Sequence, residues 1–387
     1  MRPWLNAQFH EAPTVAVAAL GDLLALEGRH FRPGRPSNSV IVSLPTSSEG
    51  HAATPLPAPG DAGLARDYAA IASGAAIATP ANRIIVRVSG DDRIPFMHGM
   101  CSNDIKGLAT GTVSLALILT EHAHIIADFF VYADADALLL DIDRALWALA
   151  RAHLEKFLVA DDVEFDELED LGIIDLEGPH AARAVATVTG DAPLSLRPWR
   201  HAHTADLRFA NFPRYGAPSF TIVVERARVS SIIEAVRDRA ATAGPGAIPQ
   251  VGAEALEIVR VEHGLARVGL DTGDKTIALE ARLEPAISYN KGCYLGQETI
   301  ERATARGGLK KKLYGLRLDG DRLPLAGAAI MLDSREVGRL TSVVPSPRFG
   351  VIGLSILHHS AWEIGTRLSI AGAGDGFSAT VSDLPFA

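Results

Sequence analysis

Cysteine is scarce in this 387-residue chain: Cys101 and Cys293 are its two copies, and they stand far apart and in no CxxC pair. A disulfide framework and a four-thiolate zinc centre are excluded, and a reducing compartment fits best. Long apolar runs are missing as well. Residues 15–26 (VAVAALGDLLAL) are interrupted by Asp22 and too short to cross a bilayer. Glu11 and Pro13 ahead of them, with no clear small-residue cleavage site behind, do not suit a signal peptide. There is no excess of cations, since 37 Lys plus Arg against 46 Asp plus Glu gives a net charge of −9. A global footprint for nucleic acid is therefore absent. No GxxxxGK[ST] phosphate loop and no GxSxG elbow occur. The glycines at 372, 374 and 376 lie in a β-rich tail without a following helix. These absences predict a soluble, cytoplasmic protein with neither membrane nor nucleic acid as partner.

What remains is ordinary globular material, 48% hydrophobic and 21% charged, and the length predicts two or three domains. Residues 33–60 are dense in Pro, Ser and Gly, with only 40–44 resembling a strand, so 1–64 read as an extension and loop-rich connector. A more regular region follows, 65–305. Residues 83–88 read as a strand, and 125–132 with 137–142 as a hairpin. Asp143 is placed to cap a helix whose Leu146, Leu149, Leu154 and Phe157 recur at near-helical spacing. Residues 161–170 hold seven acids in ten. Their alternation with Val163 and Phe165 reads as a strand edge with one wet face, an acidic binding surface being the alternative. Val229, Ile232, Ile233 and Val236 mark a second helix, and residues 253–263 a third that stops at Gly264. From 306 to 387 short strands and turns predict a small β-barrel.

The histidine pairs 122/124, 201/203 and 358/359 lack acids or cysteines at ligand spacing, so no metal site is expected. Lys310, Lys311 and Lys312, with Arg302 and Arg306, form a basic cluster suited to an anionic ligand or to plain solvation. The densest constellation is Lys291-Gly292-Cys293-Tyr294-Leu295-Gly296-Gln297-Glu298. Its glycines permit close approach, and Lys291 beside Cys293 favours a thiolate. A small buried hydrophobe is the other reading of that cysteine.

KGCYLGQE resembles the KGCYxGQE signature of the YgfZ-type folate-binding proteins, which belong with the T-protein (aminomethyltransferase) of the glycine cleavage system. In the expected order, residues 88–108 with the step Ser102-Asn103-Asp104, 124–132, 176–181, 256–271 leading to Glu280, and 338–357 resemble further parts of that family. The resemblance spans about residues 65–387. It implies an α+β fold, with aminomethyltransferase-like folate-binding lobes around a central hole and a small C-terminal β-barrel.

It also implies tetrahydrofolate, or a one-carbon derivative, as cofactor. Asn103, Asp128, Arg260, Glu262, Lys291 and Tyr294 are then candidates to bind it, with Cys293 and Asp128 as candidate catalytic groups. A reduced pterin carries N–H donors that a partly buried carboxylate such as Asp128 would meet, and its plane asks for an apolar slot. Two departures stand out. Tyr215-Gly216-Ala217-Pro218-Ser219 occupies the place of a TGExG-like turn and lacks its glutamate, and Ala127-Asp128 replaces an Asp-Asp pair. With the cysteine signature, they favour the YgfZ side, whose implied role is assistance to iron–sulfur cluster assembly or repair, with iron–sulfur client proteins as partners. The alternatives are a folate-dependent one-carbon transferase, and a folate-pocket relic serving as an interaction scaffold.

Overall fold

Seven- to nine-residue apolar runs form buried strands, and the polar-faced helices between them cover the sheets. The architecture comes from a computed structural model, which describes residues 62–204, 206–306, 308–371 and 376–387. Of the expected extension over 1–64, residues 1–61 with the strand at 40–44 lie outside the described residues, as do glycines 372 and 374, and residues 62–64 begin a helix.

Helix α1 (Ala62–Ser73) and strand β1 (Ala76–Ala78) lead into a first sheet built from β2 (Arg83–Ser89), β3 (Val113–Leu119), β4 (Ile125–Ala133), β5 (Leu138–Asp143) and β6 (Glu164–Glu167). Its order is β3-β4-β5-β2-β6, with antiparallel pairing throughout. Helices α2 (Arg93–Met100) and α3 (Arg144–Leu154) cover one face through Met97, Trp147, Ala150 and Leu154. Asp143 caps α3 by accepting from the Ala145 N–H. The stripe that α3 buries is set by Trp147, Ala150 and Leu154, while Leu146 is only half-buried and Phe157 lies past the helix end. The acid-rich segment 161–170 contains β6, the edge of this sheet, whose Phe165 and Glu167 turn inward while Glu164 and Asp166 are exposed.

The second sheet joins β1 to β7 (Leu171–Glu177), β8 (Arg200–His203), β9 (Arg208–Asn211) and β10 (Ser219–Glu225), in the order β1-β7-β10-β9-β8. Helices α4 (Ala181–Thr189) and α6 (Val229–Ala243), with the short α5 (Ala192–Ser195) between them in sequence, pack on one side of it through Ala184, Val185, Ile232 and Val236. The opposite side faces the first sheet. Phe130, Tyr132, Leu139 and Ile85 from one sheet meet Ile173, Ala210, Phe212 and Val223 from the other. The Phe130 and Phe212 rings lie 4.3 Å apart at the centre of this layer.

Helices α7 (Ala253–Glu262) and α8 (Gln297–Arg306) precede a seven-stranded sheet made of β11 (Lys311–Leu318), β12 (Ala329–Leu332), β13 (Arg335–Arg339), β14 (Ser342–Ser346), β15 (Gly350–His358), β16 (Arg367–Ile370) and β17 (Phe377–Ser382). Curled on its own core, it is the expected β-barrel in half-barrel form. Gly264 ends the α7 region at φ +64°, and a Cβ there would lie 2.6 Å from Leu384.

Arg260 ties α7 to this half-barrel and is buried rather than exposed. Its Nε and Nη2 donate to Glu257 at 2.8 and 2.5 Å, Nη1 to Asp271 at 2.7 Å and to the Leu265 carbonyl, and Nη2 also to Ser342 at 2.7 Å. Asp271 in turn accepts from Thr341 and Ser342. Replacing Arg260 with Ala leaves Asp271 buried without its cation. The expected loss is about 3–5 kcal/mol of unfolding free energy, read from the urea midpoint. A loss below about 1 kcal/mol would show that this network carries no weight.

Candidate functional site

The loop that carries the cysteine is pinned on both sides of the thiol. Lys291 points its ammonium at the C-terminal end of α2, donating to the carbonyls of Cys101 and Asn103 at 2.8 Å each and to that of His98. A cation there meets carbonyls the helix leaves unpaired. Burial lowers the Lys291 pKa, and the charges acting on it are Cys101, Asp104 and Lys106. Lys291 thus serves the backbone, and the expected activation of Cys293 by its ammonium is not what the geometry shows. Its Nζ also lies 4.9 Å from the centre of the buried Tyr294 ring.

Gly296 is required where it stands, at φ +86° with a Cβ position only 2.7 Å from the Thr120 carbonyl oxygen. Gly292 is not so constrained, since a Cβ there would meet nothing within 4 Å. Leu295 N–H donates to the Gly99 carbonyl at 3.1 Å, and the Gln297 side chain accepts from Tyr294 N–H at 3.3 Å. Between these anchors Gly292 and Cys293 are exposed, and Cys293 is a free thiol. Cys101 is its opposite: buried, with its pKa pushed up to about 11 by desolvation.

Asn103 belongs to the same corner. Its amide nitrogen donates to the carbonyls of Leu115 at 2.7 Å and Pro285 at 3.4 Å and to the Ser114 hydroxyl at 3.2 Å, and its oxygen accepts from Asp104 N–H. Asn103, Lys291, Tyr294 and Cys293 are therefore brought together, the first three engaged with protein groups. Arg260 and Glu262 are placed elsewhere, on the seam with the half-barrel. Every Arg260 N–H is taken, and Glu262 accepts from Tyr68 at 3.0 Å and Ser346 at 2.5 Å. Both side chains are buried, and Arg260 has no N–H left over for a ligand.

Asp128 is half-buried on β4 opposite Leu117. It shares a strand face with Phe130 and Tyr132, which point into the layer between the sheets. Burial raises its carboxyl above the ordinary value, with Arg83 acting against the rise. Arg83 is the first step of a series of charges that crosses from one sheet to the other. Its Nε donates to Asp141 at 2.5 Å. Asp141 also accepts from Arg214 Nη2 at 2.5 Å, and Arg214 Nε lies 3.0 Å from Asp175. Thr221 donates to Asp175 at 2.6 Å. Glu177, two residues along the strand, is fully buried beside it.

Sequence reading singled out Asp128 but passed over Asp141, Asp175 and Glu177, which carry the same signal of an acid inside an apolar strand (LLLDID, GIIDLE). Arg214 offered no periodic cue, because it sits in the connection between β9 and β10. Desolvation pushes Asp141 up, but Arg214 and Arg83 outweigh it and hold it below the usual range. Burial, then the charge of Asp175, lifts Glu177 well above its usual range. The turn 215–219, without a glutamate, places Ala217 in the interior, and its last residue, Ser219, pairs directly with Glu177. The half-buried Glu280 accepts from Ile277 N–H at 3.2 Å. Among the described residues no group of three or more His, Cys, Asp or Glu is arranged to hold a metal ion, and no helix is long and apolar enough to cross a membrane.

Two measurements test this geometry. In the native protein an aromatic disulfide reagent should titrate Cys293 alone, with Cys101 reacting only after denaturation. Rapid labelling of both thiols would contradict the burial of Cys101. Because folded Glu177 holds a proton that the unfolded chain releases, its contribution to stability is complete below the ordinary glutamate range and is lost as pH rises through the folded-state value. Glu177→Gln should remove that alkaline loss, flattening the thermal midpoint against pH. An unchanged profile would show that Glu177 does not hold the proton.

Residues 58–291 match the GCVT N-terminal domain, and residues 311–387 match the glycine cleavage T-protein C-terminal barrel domain. The chain is 29% identical over 313 residues to a putative chloroplastic transferase of Arabidopsis thaliana, covering 78% of this chain and 68% of that protein. It is 25% identical over 301 residues to an aminomethyltransferase of Rubrobacter xylanophilus, covering 76% and 79%. The crystal structure of glycine cleavage system aminomethyltransferase T from Bartonella henselae superposes with a TM-score of 0.76 at 21% identity, over 86% of this chain and 91% of that one. Paired sheets followed by a curled half-barrel are thus a shared architecture, and the chain belongs to the glycine cleavage T-protein (GCVT) family.

Proposed function

We propose that the chain binds tetrahydrofolate, or a one-carbon derivative of it, and assists the assembly or repair of iron–sulfur enzymes as the YgfZ-type proteins do. The observation that carries this reading is Cys293. Its neighbours are consumed by anchoring contacts, and the thiol is left free and exposed. A loop built only to pack would bury that side chain.

The residues present suit a reduced folate. Asp128 is a half-buried carboxyl with no hydrogen bond to another residue among the described residues, beside the aromatic layer of Phe130 and Tyr132. Arg83 lies 5.7 Å from the centre of the Phe130 ring. A carboxyl in such a setting pairs with ring N–H donors, and the ring faces supply the apolar contact. Bound tetrahydrofolate would supply a carrier for a one-carbon unit. The chain's own residues orient it and hold a proton at the Asp128 carboxyl, which burial shifts towards the protonated form.

That same shift favours a second reading, a folate-dependent one-carbon transferase in which Asp128 exchanges a proton with the reacting amine. The absence of a glutamate from the turn 215–219 weighs against aminomethyl transfer from a lipoyl-bound carrier.

Calorimetric titration with folinic acid should show binding, and Asp128→Asn should weaken it by about tenfold, the scale of one lost hydrogen bond. Cys293→Ala should bind folinic acid normally yet fail to restore iron–sulfur enzyme activity in a deletion strain. Full rescue would remove Cys293 from the function. Stoichiometric appearance of methylene- or methyl-tetrahydrofolate with a candidate donor, followed by mass spectrometry, would favour the transferase.

A further inference from the structure

Among the described residues, eight buried side-chain nitrogen and oxygen atoms find no hydrogen-bond partner, and five of the eight belong to Asp175, Glu177 and Arg214. Asp175 Oδ2 and Arg214 Nε answer each other as an ion pair at 3.0 Å. That leaves both carboxyl oxygens of Glu177 and Nη1 of Arg214. Buried polar atoms are matched almost everywhere in folded proteins, so three unmatched ones at one place ask for a reason. Stability does not supply it, because an apolar side chain at 177 would avoid the desolvation cost that a lone buried carboxyl incurs.

The surroundings are cut small around these groups. Glu177 pairs across the sheet with Ala76 on one side and Ser219 on the other, and Asp175 pairs with Ala78 and Thr221. The Ser219 hydroxyl is committed to the Phe212 carbonyl at 2.6 Å, and Thr221 to Asp175. The Arg214 guanidinium lies over two rings, 5.3 Å from the centre of Phe130 and 5.1 Å from that of Phe212. The cluster is close to electrically neutral. Arg83 and Arg214 balance Asp141 and Asp175, and burial keeps Glu177 well above its ordinary range. A neutral site with an unmet donor beside unmet acceptors suits an uncharged planar heterocycle and disfavours a phosphate or a carboxylate.

We propose that Glu177 and Arg214 Nη1 form the polar edge that reads the pyrimidinone ring of a reduced folate. The protonated Glu177 carboxyl accepts from the ring amino group and donates its O–H to the adjacent ring nitrogen, and Arg214 Nη1 donates to the ring carbonyl oxygen. This assignment rests on the folate reading above and adds the residues that recognise the ring. Asp128 stands in the same layer, linked to the edge through Arg83, Asp141 and Arg214.

The test uses the full chain and folinic acid, with Glu177→Met and Glu177→Gln measured beside the wild type for calorimetric affinity and thermal midpoint. Glu177→Met should raise the midpoint and lower affinity by at least about tenfold, whereas Glu177→Gln, which keeps an acceptor oxygen and a donor, should stay within about threefold. A purely structural Glu177 predicts the reverse for Met: a lower midpoint and unchanged affinity. Binding by Glu177→Met within about threefold of wild type overturns the assignment while leaving the folate reading intact. Absence of wild-type binding at millimolar folinic acid overturns both.

Discussion

The two facing sheets are joined by a guanidinium. Arg214 leaves the second sheet from the connection between β9 and β10 and reaches Asp141 of the first at 2.5 Å, while staying within 3.0 Å of Asp175 on its own sheet. It does so beneath an otherwise apolar layer, where a lone charge would be prohibitive and an alternating series is tolerable. Arg83 and Asp141 extend that alternation into the first sheet, and Asp175 extends it into the second. The cation over Phe130 and Phe212 adds attraction to the ring faces, so polar and aromatic contacts support the same geometry. The register of the two sheets is fixed by this series more tightly than apolar packing alone could fix it, because a slipped pairing would strand a buried charge.

The cysteine loop shows the complementary arrangement, in which charge is used up so that one group stays free. Lys291 satisfies carbonyls at the end of α2, Gly296 lets the backbone pass against Thr120, and Tyr294 fills the gap beneath. What protrudes is a short exposed step carrying the thiol. Most of the signature KGCYLGQE therefore reads as scaffold for the exposure of Cys293, and substitution at Lys291 would act on loop position before it acted on thiol chemistry.

Much of the fold was legible because periodicity reports burial. The 125–133 and 138–143 hairpin, the Asp143 cap, the α6 stripe and the Gly264 stop follow from local spacing and capping chemistry. The half-barrel was legible in kind but not strand by strand, since short polar-interrupted runs such as β14 (SVVPS) and β17 (FSATVS) resemble turns. The site was legible in part. Arg260 and Glu262 were singled out as ligand contacts, but partners distant in sequence, Asp271 and Ser342 for one and Tyr68 and Ser346 for the other, absorb them. No local pattern announces a partner tens of residues away. Asp141, Asp175 and Glu177 were visible as acids in apolar strands, and what hid them was the lack of any local sign of Arg214.

The interior holds a gradient of commitment that separates architecture from chemistry. Asp141 is bound by two arginines and held below its usual range, so it is an anchor with no proton to give. Asp175 has one arginine and one threonine, and burial still lifts it above its usual range. Among the described residues neither Glu177 carboxyl oxygen finds a hydrogen-bond donor, and burial, then the charge of Asp175, lifts the group well above its usual range. A series so ordered delivers fixed charge at one end, on β5 of the first sheet, and an unmatched carboxyl at the other, on β7 of the facing sheet. Exchange of Glu177 for an apolar residue should then relax the interior, and exchange of Asp141 should break it. Equal consequences at the two positions would mean that the gradient is an accident of packing rather than a division between holding and binding.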